Sequence, residues 1–222
     1  MSKKQKSSYE RNIEAKIITL GDSRVGKTSL IVRFIEGTFA ESYMSTVGFD
    51  LKFKSIKLKN GEVLKLMIHD TAGQERFKSL AANYIKKADG ILLVYDITDN
   101  YSFNNIENWM LDINNKSEEN VPVILIGNKS DLNDQRKISY EDGLKLAEKN
   151  EIHFYETSCE NGENVEKSFM DLAEQIYKII ENKKTHDEKN QSLSNKKKTK
   201  KLLLKIKFIK IRYLFYYFKI IN

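Results

Sequence analysis

The chain has 222 residues, one cysteine (Cys159) and a formal net charge of +7, enough length for one α/β domain with a real core plus a tail. A single cysteine excludes an intramolecular disulfide and fits a reducing cytoplasmic compartment; the polar stretch Met1–Arg11 does not read as a secretory signal, and Ser2 in place of glycine argues against N-myristoylation. The charge is unevenly spread, because Lys183–Asn222 holds 13 of the 38 Lys/Arg and 2 of the 31 Asp/Glu, leaving +11 on the tail and −4 on the body.

After a polar arm at residues 1–12, Ile13–Leu20 reads as a strand and Lys27–Glu36 as the helix that follows it. Phe49–Leu58 and Glu62–Ile68 flank the turn signal Lys59-Asn60-Gly61, which predicts a hairpin. Ile91–Tyr95, Val121–Ile126 and Ile152–Tyr155 are short β-branched or aromatic runs; Tyr101–Asn115, Tyr140–Asn150 and Asn164–Asn182 between and after them are helical. This alternation predicts an α/β fold, a mostly parallel sheet with helices on both faces. The domain is expected over 13–181, and a basic, apolar and aromatic tail over 182–222 lies outside it.

Three segments carry chemistry. Gly21-Asp22-Ser23-Arg24-Val25-Gly26-Lys27-Thr28 matches G-x-x-x-x-G-K-[ST] directly between a strand and a helix. In that context backbone N–H groups and the helix dipole face phosphates, Lys27 reaches the β- and γ-phosphates, and the Thr28 hydroxyl ligates Mg²⁺. Asp70-Thr71-Ala72-Gly73-Gln74 leaves an apolar strand downstream. Alone it is a common turn; after a phosphate loop, Asp70 suits Mg²⁺, Gly73 lets the backbone approach the γ-phosphate, and Gln74 orients the attacking water. Asn128-Lys129-Ser130-Asp131 names the base. The Asp131 carboxylate can accept from both N1–H and N2–H₂ of guanine, whereas adenine would leave the charge unpaired, and the Lys129 stem can cover the ring.

These motifs in this order resemble the Ras-like small GTPases, and Asp70–Phe77 (D-T-A-G-Q-E-R-F) with Leu93–Thr98 (L-V-Y-D-I-T) is most similar to the Rab family. The resemblance covers about residues 13–180 and implies a six-stranded P-loop GTPase fold with five helices, a bound GTP or GDP with Mg²⁺, and slow hydrolysis of GTP. It makes Glu156-Thr157-Ser158-Cys159-Glu160 the guanine loop, Phe39 a guanine-packing residue and Thr46 the switch threonine that joins Mg²⁺. The implied nucleotide contacts are Gly21, Asp22, Ser23, Arg24, Val25, Gly26, Lys27, Thr28, Ser29, Phe39, Thr46, Gly73, Asn128, Lys129, Asp131, Ser158, Cys159 and Glu160. Thr28, Thr46 and Asp70 would serve the metal, and Gln74 catalysis. It further implies a monomer that meets an exchange factor, a GTPase-activating protein and effectors through its switch regions, regulates vesicle traffic, and works in the cytoplasm or on the cytoplasmic face of an intracellular membrane. Nucleic acid is not an expected partner.

Several positions depart from the family pattern. Arg24 stands where most relatives have glycine. A strained loop there would cost about 1–3 kcal/mol and a guanidinium near phosphates would add attraction; because the two oppose each other, the expectation is an exposed arginine in a normal loop. Cys159 and Glu160 replace alanine and lysine; the first contact is expected from backbone N–H, so weakening should be modest. Of the aromatic triad that Rab proteins show to effectors, only Tyr84 matches, with Leu51 and His69 in the other places. The chain as written ends Ile220-Ile221-Asn222 without the prenylated cysteines of the family. Lys205, Lys207, Lys210, Arg212 and Lys219 make Leu202–Asn222 too charged to span a bilayer. Three readings of the tail stay open: an anchor on anionic lipid, a disordered arm, or translated AT-rich sequence from a mistaken gene boundary.

Overall fold

The computed structural model describes residues 13–39, 49–71 and 78–185. Thr46, Gly73, Gln74, the arm at 1–12 and the tail from 186 onward lie outside the described residues. The chain divides between Tyr177 and Lys178 into two units.

In the first unit, strand β1 (Ile13–Leu20) runs into the loop that precedes helix α1 (Lys27–Glu36). Leu30, Ile31 and Phe34 give α1 its buried stripe, and Gly37 ends it with φ 70° while its N–H donates to Arg33 O. Strands β2 (Phe49–Lys57) and β3 (Val63–Thr71) pair antiparallel, with Leu51 opposite His69. Next come α2 (Lys78–Ile85), β4 (Gly90–Asp96), α3 (Asn100–Asn104), α4 (Ile106–Lys116) and β5 (Val123–Asn128). A 3₁₀ helix (Ser130–Gln135), α5 (Tyr140–Lys149) and β6 (His153–Thr157) follow, and residues 165–177 are helical. In the second unit, residues 178–185 are helical and Lys184 pairs with Glu181 at 3.2 Å.

The sheet has six strands in the order β2-β3-β1-β4-β5-β6, and only the β2–β3 pair is antiparallel. Every residue of β4 and β5 is buried, as strands covered on both faces require. Beneath α1, Phe34 stacks on Phe169 with ring centroids 4.0 Å apart. The order changes direction beside β1, and the C-terminal ends of the parallel strands β1, β3, β4, β5 and β6 collect at one edge, where ligands bind in such sheets.

Two differences from the sequence reading have local causes. The run read as one helix over Tyr101–Asn115 is two, with Asn105 both closing α3 and opening α4. Its side chain is engaged elsewhere rather than capping a helix N–H, the competition expected of asparagine. Strand β5 begins after Pro122, which has no N–H for the ladder, and continues to Asn128 instead of ending at Ile126. That extension puts the first residue of the N-K-x-D motif inside the sheet.

Candidate functional site

The site begins where β1 stops. Gly21 has φ 133°, and a Cβ there would lie 2.1 Å from Val94 O, so only glycine lets the loop sit against β4. Gly26, at φ 95°, opens α1, and a Cβ there would meet Asn128 Nδ2 at 2.3 Å. Between them Arg24 is exposed, as expected, but the loop is not normal there: its φ of 65° holds an L-residue in the left-handed region. Ser23 is exposed, Ser29 half-buried and Val25 fully buried.

Lys27 is buried, and its Nζ donates to Gly21 O at 2.9 Å and Asp22 O at 2.6 Å. Burial pushes its ammonium down to about 8, against the opposing pull first of Asp70 and then of Asp22. The Thr28 hydroxyl donates to Asp70 Oδ2 at 2.7 Å across 42 residues of sequence. A hydroxyl and a carboxylate this close form a hard all-oxygen donor set of the kind Mg²⁺ takes, so these residues fit the ion.

At the other end, Asn128 is buried and works in three directions. Its Nδ2 donates to Val25 O at 2.9 Å, while its Oδ1 accepts from Thr157 Oγ1 at 3.0 Å and Cys159 Sγ at 3.5 Å. Lys129 is left-handed at φ 69°, with Nζ 2.5 Å from Asp96 Oδ2. Asp96 Oδ1 in turn accepts from the backbone and hydroxyl of Thr98, both at 2.8 Å. The carboxylate of Asp131 is exposed and accepts from Ser158 Oγ. Burial, only partly offset by the Asn128 contact, pushes the Cys159 thiol up to about 11. Behind this corner Arg136 grips Glu156 with both guanidinium nitrogens, holding β6 to the segment after the 3₁₀ helix. Phe39 and Glu160 are exposed.

The structure thus joins the loop 21–28, Asp70, Asn128 and the 157–159 segment in one hydrogen-bonded edge. Sequence reasoning missed the support behind it: Asp96 under Lys129, Thr157 on Asn128, and Asn105 with Trp109 on Asp22. Asp96 and Thr157 lay in segments quoted only for their family likeness; no motif flags Asn105 or Trp109. On the outer sheet edge, Leu51 is exposed opposite His69, whose ring tilts against Tyr84 at 5.0 Å. Burial first, and then nearby Lys16, lowers the His69 pKa, which favours the neutral ring.

The sequence profile of the Ras family matches residues 16–178. The chain belongs to the Ras family. It is 46% identical over 161 residues to the Ras-related protein RIC1 of Oryza sativa subsp. japonica, covering 72% of this chain and 79% of that protein. The same coverage holds for Rab-13 of Canis lupus familiaris at 46% and RABD2a of Arabidopsis thaliana at 44%. This Ras-family chain is therefore a small GTPase similar to Rab proteins. No helix among its described residues is long and apolar enough to cross a membrane.

Proposed function

We propose that the chain is a switch that binds GTP and GDP with Mg²⁺, hydrolyses GTP slowly, and regulates vesicle traffic from the cytoplasmic face of an intracellular membrane. The observation that carries this reading is Asn128, which links the carbonyl of Val25 in the phosphate loop to Thr157 and Cys159 beside the base-reading segment. One buried amide thereby registers a polyphosphate cradle against a base pocket.

In this reading the loop 21–26 presents N–H groups to the phosphates, and Lys27 turns from the Gly21 and Asp22 carbonyls to the β- and γ-phosphates. Thr28 and Thr46 would hold Mg²⁺ and Asp70 would support it, and the bound ion would neutralise phosphate charge. Asp131 pairs with guanine, Lys129 lies across the ring with its ammonium on Asp96, and Ser158 keeps Asp131 aimed. Gln74 orients water. An arginine supplied by an activating partner completes the hydrolytic site. Exchange factor and effectors dock on the switch segments and on the Leu51–His69–Tyr84 surface, whose leucine and histidine select partners other than those that read three aromatics. The G domain is assigned to 13–181, with the arm at 1–12 and the tail at 182–222 outside it and the tail meeting anionic lipid.

Hydrolysis by the purified full chain tests the reading. The expected intrinsic rate is about 10⁻⁴ s⁻¹, rising roughly 10⁵-fold with a matched activating protein. Gln74→Leu should keep GTP bound and lose the stimulated rate. A chain that retains no guanine nucleotide, or a Gln74→Leu variant stimulated as strongly as native, would overturn it.

A further inference from the structure

Asp22 belongs to the phosphate loop, yet its side chain is bound from the opposite direction. Its Oδ1 accepts from Asn105 Nδ2 at 2.6 Å and from Trp109 Nε1 at 2.9 Å, donors 83 and 87 residues away in sequence. Its main-chain carbonyl meanwhile accepts from Lys27 Nζ at 2.6 Å. A single residue therefore joins the α3–α4 joint, on one side, to the lysine of the loop on the other.

The arrangement is built rather than incidental. Asn105 and Trp109 stand four residues apart and share a face of the chain entering α4, so both can reach one oxygen. Asn108 Nδ2 donates to Asn105 Oδ1 at 2.8 Å, which fixes the Asn105 amide with its NH₂ toward Asp22. Trp109 is only 6% exposed and cannot swing away. The second oxygen, Asp22 Oδ2, is buried with no hydrogen-bond partner among the described residues. All the hydrogen bonding described for this carboxylate thus falls on two uncharged donors, and losing either leaves a half-buried anion beside a polyphosphate cradle.

The loop needs such a hold. Arg24 lies in the left-handed region and Ser23 and Arg24 are exposed, so the loop's outer turn has little packing of its own. We propose that Asp22 is a positioning residue: clasped by Asn105 and Trp109, it sets the loop carbonyls and N–H groups, and the α3–α4 joint thereby controls how long guanine nucleotide stays bound. This rests on the reading of residues 21–28 as the GTP/GDP phosphate loop.

The test is release of tritiated GDP from the full-length chain, for native protein and for Asp22→Ala, Trp109→Phe, Asn105→Ala and the Asp22→Ala/Trp109→Phe pair. Each single change should speed release about tenfold, the scale of a lost hydrogen bond to a charged group. The pair should be no faster than Asp22→Ala alone, because Asp22→Ala already removes the contact that Trp109→Phe cuts. Asp22→Asn retains the Oδ1 acceptor but buries an unpaired NH₂, so its release should fall between native and Asp22→Ala, a partial rescue. Preference for GDP over XDP should not move in any variant, since the base corner is untouched; a general loosening would shift it. If Trp109→Phe folds poorly, Asn105→Ala carries the same comparison. Native release rates in Asp22→Ala and Asn105→Ala, or fully multiplicative effects in the pair, would overturn the clasp alone. A native chain that never retains GDP would overturn the phosphate-loop reading and the clasp with it.

Discussion

The two ends of the site are made of different material. At the end proposed to hold phosphates the decisive features are main-chain: Gly21 at φ 133°, Gly26 at φ 95°, and carbonyls of Gly21 and Asp22 on Lys27. At the end proposed to read the base they are side chains: Asn128 bonded in three directions, Lys129 on Asp96, Asp131 on Ser158. A backbone cradle fails when an atom is added, and a side-chain pocket when a functional group is taken away. The first loses binding as a whole, the second its choice of ligand.

The harshest way to break the comparison is Gly21→Ala. Its Cβ would stand 2.1 Å from Val94 O in a backbone region that L-residues avoid, so the loop must leave the sheet. We expect a loss of more than about 3 kcal/mol in stability, with nucleotide binding lost as well, read by thermal unfolding and equilibrium binding. Asp131→Asn attacks the other end and should leave the fold intact, because Asp131 is exposed. Guanine affinity should fall by about 100-fold or more while xanthine affinity rises, since an amide can donate to the O2 carbonyl that replaces N2–H₂. Competition binding with GTP and XTP reads the exchange; unchanged GTP affinity would remove Asp131 from base recognition.

A subtler probe is the thiol behind Asn128. With its pKa pushed up to about 11, only about one Cys159 in 10³ is thiolate at pH 8, and the residue is buried besides. Alkylation by iodoacetamide, followed by mass, should therefore be slow at pH 8 and rise roughly tenfold per pH unit toward 11. The sign for stability follows: the folded thiol keeps its proton longer than the unfolded one, so its contribution is present below about pH 9 and fades as pH climbs through about 11. Fast modification at pH 8 would mean the base corner opens in solution. Smallest of all is Arg24→Gly. Relief of the φ 65° strain is opposed by glycine's greater freedom when unfolded, leaving a gain of about 1 kcal/mol or less in melting experiments.

The same contrast explains what could be read from the chain before its fold was known. Strand β1 and helix α1 were legible to the residue, because Ile13–Leu20 alternates into a buried run and the glycine-lysine loop marks the junction. Thr28 and Asp70 were legible as a pair through their motifs, and they do hydrogen-bond. Asn105 and Trp109 were not, since a donor 83 or 87 residues from its acceptor leaves no periodic or local trace. The break at Asn105 was hidden for a related reason: the apolar stripe Phe103, Ile106, Trp109, Met110, Ile113 keeps the helical period across it, and only the side chain's distant engagement marks the joint. Lys129 reads in sequence as a stem over a base; that Asp96 anchors its ammonium depends on β4 lying beside β5.

Trp109 is the single tryptophan of the chain, and its indole N–H rests on the loop carboxylate at 2.9 Å. Every bit of tryptophan fluorescence from this molecule therefore originates at one hydrogen bond to Asp22. The protein carries its own optical gauge at that point, placed by the fold, with no second fluorophore of its kind to blur the signal. On the proposed function, a change in that emission on adding natural nucleotide to unlabelled protein would report on the loop at this bond.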